Sequence, residues 1–297
     1  MIDMYNKALL IYNGNAGNNE ISKNLNQIVG NLAQNIRELT LLQTEKKGDS
    51  ERYCKERASE FDLLIIMGGD GTVHECINGL MELEDPPIVS IIPTGTCNDF
   101  SRSLLIPQTI TEAAEFIHSG KVESIDIGQC NDRYFSNFFG VGLITEASEA
   151  TNSNLKSSIG KFSYFISALQ SLKKATSFSF SLKTDKEQFE GEAVMILAMN
   201  GYFLGTSNLQ LNETKLNDGL LEIYLVRESG LNLIRNMYNK AFSDDWTRDT
   251  EGIDLIRASS FQLETDEKLD VDMDGEIYLK TPVNVSILNK HLKFITQ

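Results

Sequence analysis

Leu63-Leu64-Ile65-Ile66-Met67 runs directly into Gly68-Gly69-Asp70-Gly71-Thr72, and a periodic segment of polar and apolar residues follows from Val73. Five consecutive apolar residues bounded by turn residues predict a buried strand, and the spacing over 73–81 predicts a helix. Glycines placed between such a strand and a helix let the backbone approach a polyphosphate, while the helix N-terminus offers N–H groups and a positive dipole end. Asp70 inside that turn repels an anion by itself and attracts it through Mg²⁺. The plain alternative is a tight strand-to-helix turn with Asp70 or Thr72 as N-cap.

Outward from this stretch the same texture continues from residue 8 to about 124. Strands are expected at 8–12, 39–43, 63–67 and 88–92, and helices at 20–34, 49–59, 73–81 and 110–119. That alternation predicts βαβ units and a parallel sheet. Two further loops follow strands in the same manner, Asn13-Gly14-Asn15-Ala16-Gly17 after the first and Thr94-Gly95-Thr96-Cys97-Asn98-Asp99 after Pro93. All three belong at the carboxyl ends of parallel strands, where open α/β sheets bind ligands. No Gly-Lys-Ser or Gly-Lys-Thr and no GxGxxG occurs in the chain, so the Walker and dinucleotide fingerprints are excluded.

After residue 124 the pattern changes to strand-like runs at 124–128, 133–139, 177–184, 192–200, 219–225, 261–265, 271–274 and 283–288. Turns such as Asp218-Gly219 and Asp274-Gly275 separate some of them. A mostly β second domain is expected, interrupted by helices at 159–174 and 231–242. The fold class is therefore α/β plus β.

The 297 residues carry 42 acidic and 27 basic side chains, a net charge of −15, which argues against a nucleic-acid partner. Cys54, Cys76, Cys97 and Cys130 lie more than twenty residues apart, without the close pairs of zinc or redox sites, as expected of reduced thiols in the cytoplasm. The longest apolar runs fall far below the roughly 18 residues of a membrane span, and the N-terminus lacks the pattern of a secretory signal. His74, His118 and His291 show no mutual spacing that suggests a metal site or a triad.

The two blocks 67–80 and 93–102 resemble the diacylglycerol kinase catalytic-domain family, and within it the soluble bacterial lipid kinases. The resemblance continues more weakly through Asp126-Ile127-Gly128, 138–142, Asp218-Gly219-Leu220-Leu221-Glu222 and Asp274-Gly275-Glu276. It implies an N-terminal three-layer α/β domain similar to that of NAD kinases (1–124). A C-terminal β-sandwich lipid-substrate domain follows (125–297), with the last residues returning to the first domain. It implies ATP as co-substrate, Mg²⁺ as cofactor and transfer of the γ-phosphate to a lipid hydroxyl, diacylglycerol giving phosphatidic acid. Asn13, Gly14, Asn15, Ala16, Gly17, Thr44, Gly68, Gly69, Asp70, Gly71, Thr72, Glu75, Thr94, Gly95 and Thr96 are then expected to contact ATP. Asp70, Asp99 and Asp126 would form a network around water and the catalytic Mg²⁺, and Glu276 would accept the proton. Lys215 and Leu220, through backbone carbonyls, and Asp218, through its side chain, correspond to a separate structural Mg²⁺ site. This chain departs from the family pattern at Gly14 and Ala16, where Pro and Ser are usual.

The same-class alternatives are kinases of NAD or of a sphingoid base, and the alternative of a different class is a catalytically silent nucleotide or lipid sensor. Residues 150–184 hold Lys156, Lys161, Lys173, Lys174 and Lys183 and no Asp or Glu, a local charge reversal. Phe162, Phe165, Ile166, Leu169 and Leu172 recur there at helical spacing. Such a segment suits transient docking at an anionic membrane surface, and equally an amphipathic helix packed on the β domain. Oligomeric state is open, a homodimer included.

Overall fold

The computed structural model describes residues 5–13, 18–145, 176–209, 214–227 and 252–297. The expected helices at 159–174 and 231–242, the lysines from 156 to 174, and Gly14, Asn15, Ala16 and Gly17 lie outside those residues. The chain forms two compact units, Met1–Ile125 with Lys290–Gln297, and Asp126–Asn289.

The first unit contains β1 (Tyr5–Asn13), α1 (Asn18–Asn35), β2 (Ile36–Thr44), α2 (Asp49–Arg57), β3 (Leu63–Gly68), α3 (Asp70–Leu80), β4 (Ile88–Pro93), α4 (Asp99–Ser103) and α5 (Ile110–Ser119). Its parallel strands lie in the order β2-β1-β3-β4. Every residue of β3 is buried, as a central parallel strand covered on both faces requires. Burial of Leu63, Leu64, Ile65 and Ile66 stabilises the unit by about 1.5–3 kcal/mol per side chain. The helices associate as α1 with α5 and α2 with α3. The end of the chain returns to this unit: Phe294 lies opposite Val89 of β4, its ring meets Phe100 edge-on at 5.4 Å, and Thr296 donates to the Leu104 carbonyl.

β5 (Lys121–Cys130) passes from the first unit into the second. There follow β6 (Arg133–Phe135), β7 (Phe138–Gly142), β8 (Phe178–Thr184), β9 (Gln188–Ala193), β10 (Met195–Met199), the short pair β11 (Phe203–Leu204) and β12 (Ser207–Asn208), β13 (Leu221–Val226), β14 (Ile253–Ala258), β15 (Ser260–Thr265), β16 (Asp270–Met273), β17 (Glu276–Lys280) and β18 (Val283–Thr296). One antiparallel sheet runs β14-β13-β10-β7-β16-β17. A second antiparallel run is β18-β15-β8-β9, with β5 and β6 alongside β18. Phe139, Ile196 and Met273 from the first sheet and Phe261, Leu263 and Val285 from the second share one buried core, the arrangement of a β-sandwich.

Several expected boundaries shift. The helix after the glycine turn begins at Asp70, three residues earlier than its apolar periodicity indicates, with Gly69 as N-cap and no capping side chain. The run at 133–139 is two strands, because the N–H groups of Ser136 and Asn137 turn to the Asp274 carboxylate instead of continuing a ladder. The run at 192–200 divides at Val194, whose N–H bonds the Val226 carbonyl.

Candidate active site

The parallel register brings four strand ends to one edge. Asn13 pairs with Thr44, Tyr12 with Met67, and Gly68 with Pro93, so the carboxyl ends of β1, β2, β3 and β4 lie side by side. Thr44 is buried there, and its hydroxyl donates to the Tyr12 carbonyl at 3.4 Å. Thr94, Gly95 and Thr96 are exposed on this edge, and Gly69 to Thr72 are half-buried.

The glycines of the two main loops have a physical cause. A Cβ on Gly95 would stand 2.6 Å from the Gly69 Cα, so these loops meet backbone against backbone, and the Thr94 N–H bonds the Gly68 carbonyl at 3.0 Å. Asn98 completes the junction. Its side chain accepts from the Gly95 N–H at 2.9 Å and donates to the Gly95 carbonyl at 3.1 Å, while its own N–H donates to Asp70 Oδ2 at 2.9 Å. Asn98 sits at φ 54°, a left-handed conformation that Asn adopts more readily than most residues. Nothing in the sequence singles out Asn98 beyond its place in the Thr-Gly-Thr-Cys-Asn-Asp loop.

Asp70 is the first residue of α3 and Asp99 the first of α4, so each carboxylate lies beside a helix N-terminus. Asp99 is buried. Glu75 points elsewhere: its carboxylate accepts from the Gly48 N–H at 2.8 Å and the Ser50 N–H at 3.3 Å. It thereby caps α2, whose N-cap residue is a glycine.

In the second unit Asp126 is fully buried, and its Oδ2 accepts from the Gly219 N–H at 2.7 Å. Gly219 has φ 76°, which the Asp218-Gly219 turn requires and a side chain would strain. Asn200 donates to both the Asp126 and the Ser136 carbonyls, at 2.9 and 2.7 Å. Glu276 is partly exposed at the start of β17, directly after the two-residue turn Asp274-Gly275 that Met273 and Glu276 close. Both turn residues have positive φ, 54° and 88°, as a type I′ hairpin demands. Asp70, Asp99, Asn13, Thr44 and the two glycine loops thus gather in the first unit. Asp126, Lys215, Asp218, Leu220 and Glu276 belong to the second.

The sequence matches two family descriptions end to end, "Diacylglycerol kinase catalytic domain" over residues 7–130 and "YegS C-terminal NAD kinase beta sandwich-like domain" over 138–296. A Staphylococcus epidermidis protein named "Putative lipid kinase" is 34% identical over 98% of this chain and 97% of its own length. The chain belongs to the diacylglycerol kinase catalytic domain family. A Staphylococcus aureus protein of the same name is 33% identical over 100% of this chain and 99% of its own. A solved structure described as "a putative diacylglycerol kinase from Bacillus anthracis" is 38% identical and superposes with a TM-score of 0.89, covering 99% of this chain and 97% of the other.

Kinases of this family imply a divalent cation, and the two expected positions differ in fit. Mg²⁺ that arrives with a nucleotide needs one or two protein carboxylates, the phosphates supplying the rest. Asp70, half-buried at the head of α3, suits that task. Around Asp218 the fit is poor. Its Oδ1 accepts from the Leu220 N–H at 3.0 Å, and its Oδ2 accepts from the Lys215 N–H at 3.4 Å and from the Arg257 guanidinium at 2.7 Å. A guanidinium cation already neutralises this carboxylate, and the N–H groups of Lys215 and Leu220 take up further acceptor positions on it. Glu222 lies 3.9 Å from the same guanidinium, and burial raises its carboxyl pKa. Among the described residues no group of three or more His, Cys, Asp or Glu side chains is gathered as a metal site, and no helix is long and apolar enough to cross a membrane.

Proposed function

We propose that this protein is an ATP-dependent lipid kinase that transfers the γ-phosphate to a lipid hydroxyl, with diacylglycerol as acceptor and phosphatidic acid as product. The observation that carries the reading is the junction of the two glycine loops at Gly69 and Gly95, held by Asn98 at the common edge of β1, β3 and β4. Such an edge, with a helix N-terminus at Asp70, suits a polyphosphate. Relatives named for lipid kinases favour a lipid acceptor over NAD.

Phosphoryl transfer depends on positioning and charge neutralisation more than on covalent chemistry by the protein. When bound, Mg²⁺ supplies charge neutralisation at the phosphates, and Asp70 and Asp99, with Asp126, are the carboxylates proposed to serve it. Asn13, Thr44, the loop from Gly68 to Thr72 and the loop from Thr94 to Thr96 bind the nucleotide. Glu276 accepts the proton of the acceptor hydroxyl as the new O–P bond forms and the bond to ADP breaks. The lysines between 156 and 174 dock the enzyme transiently on the anionic inner face of the membrane, a reading supported by their charge pattern alone.

A phosphorylation screen with ATP and Mg²⁺ tests this reading, offering diacylglycerol in vesicles, sphingosine and NAD, with mass spectrometry of the products. Phosphatidic acid as the dominant product is expected. Phosphorylated NAD or sphingosine would replace the acceptor, and no lipid-dependent ADP release would leave a silent sensor.

A further inference from the structure

Asp274 stands two residues before Glu276 and is 8% exposed. Its Oδ2 accepts from the Ser136 N–H at 2.8 Å and the Ser136 hydroxyl at 3.2 Å, and its Oδ1 accepts from the N–H groups of Asn137 and Phe138, both at 2.9 Å. The Asp274 N–H also bonds the Phe138 carbonyl at 3.1 Å. A turn residue of a β-hairpin ordinarily points its side chain into water. This one reaches a segment 136 to 138 positions away in sequence and takes four donors there, in a left-handed conformation that those bonds help to hold.

The anchored segment carries a second load. Asn200 bonds both the Ser136 and Asp126 carbonyls through one amide nitrogen, and the N–H groups of Asn200 and Gly201 bond the Asn137 carbonyl. Ser136 and Asn137 are therefore the common base on which Asp126 and the turn before Glu276 are both set, all within the second unit. On the turn itself, Asp272 is fully buried and accepts from the Gly275 N–H at 2.7 Å, which fixes the chain on the other side of Asp274.

We infer that Asp274 is a positioning residue: its carboxylate, clamped by residues 136–138, sets where Glu276 presents its own carboxylate relative to Asp126. The inference rests on the proposed role of Glu276 as proton acceptor. A base must stand within hydrogen-bond reach of the proton it takes, and a displacement of about 1 Å can cost about 100-fold in rate. Neither the charge nor the proton of Asp274 takes part. Its work is to keep the turn seated.

The test is a double-mutant cycle between Asp274→Asn and Glu276→Gln, read as kcat and as KM for ATP with a short-chain diacylglycerol, beside thermal melting. In the wild-type background Asp274→Asn should lower kcat about 10- to 100-fold while KM for ATP changes less than about two-fold. In the Glu276→Gln background the same change should alter kcat less than about two-fold, because a misplaced group that is already disabled cannot be disabled again. Equal losses in both backgrounds, or an unchanged kcat for Asp274→Asn alone, would overturn the inference. If Glu276→Gln alone keeps wild-type kcat, the reading of Glu276 fails and not the clamp. Should Asp274→Asn fail to fold, Ser136→Ala removes the hydroxyl donor, leaves the three N–H bonds, and enters the same cycle with a smaller expected loss and the same required non-additivity.

Discussion

The backbone N–H of Asn98 donates to Asp70 Oδ2 at 2.9 Å, joining the loop after β4 to the first residue of α3 across 28 positions of sequence. The carboxylate proposed to serve the nucleotide's cation is thus also a structural acceptor. The two tasks can be separated by substitution. Asp70→Asn keeps an acceptor oxygen for Asn98 and loses the charge, so the protein should melt within a few degrees of wild type and lose nearly all turnover. Asp70→Ala also removes the acceptor, leaving a part-buried N–H unpaired at a further cost of about 1–3 kcal/mol. Kinase rate and melting temperature measured together check both; an active Asp70→Asn would remove the charge from the mechanism.

Gly95→Ala tests the loop junction from the other side. The added Cβ meets the Gly69 Cα at 2.6 Å, and backbone has no rotamer by which to yield. The loops must part, and the Asn98 bonds to Gly95 part with them. KM for ATP should rise at least about ten-fold with the fold retained, since both loops are partly exposed and the strands beneath them stay packed. Nucleotide affinity by calorimetry checks this, and an unchanged affinity would place the phosphates elsewhere.

These local features were legible because their signals are local. A buried apolar run, glycines and an acid in five consecutive residues predict a strand, a turn and a ligand-facing helix start, and Leu63–Gly68 and Asp70–Leu80 follow that order. Among the unexpected strands, β14 and β17 are the two edges of one sheet. Edge strands are half-exposed, and Asp254 and Arg257 among Ile253, Leu255 and Ile256 blur the alternation that marks an inner strand. The tasks of Asn98 and Asp274 were illegible for a different reason. The Asn98 N–H meets Asp70 28 positions away, and the Asp274 carboxylate meets residues 136 to 138 positions away; the spacing of one chain carries no trace of such bonds.

Two acids respond to pH in opposite directions. Glu222 is buried, and burial raises its carboxyl pKa against the bonds from Thr214 and Tyr224 and the charge of Arg257. A carboxyl with a folded pKa above its unfolded value leaves stability intact below the unfolded value and costs stability as pH rises through the folded one. Glu222→Gln should therefore raise the melting temperature at pH 8 and change it little at pH 4. Asp49 is held down to about 2 by the N–H groups of Glu45 and Lys46 and by the Arg52 guanidinium. Its contribution is present above the unfolded value and is lost as pH falls toward 2, so Asp49→Asn should lower the melting temperature at pH 7 and not near pH 2. Melting curves across this range read both signs, and parallel curves for Glu222→Gln and wild type would contradict the first.

Asp218 and Arg257 make the remaining test, because the ion pair between them occupies the place where a structural Mg²⁺ was expected. Both side chains are partly buried, with 19% and 28% exposure, and their atoms meet at 2.7 Å. Exposed pairs contribute about 0–1 kcal/mol, while removing one partner of a buried pair costs about 3–5 kcal/mol. A value between these, about 1–3 kcal/mol, is expected for Asp218→Ala, a fall of roughly 3–10 °C in a unit of this size. Arg257 then loses its closest carboxylate and Leu220 its acceptor for the N–H. Because a protein cation already satisfies Asp218, the loss should be the same in excess EDTA and in millimolar Mg²⁺. Arg257→Gln should expose the carboxylate to competition and give a melting temperature that rises with added Mg²⁺ more steeply than that of wild type. A wild-type protein whose melting temperature climbs with Mg²⁺ and loses that response on Asp218→Ala would show that the metal shares the carboxylate with the guanidinium after all.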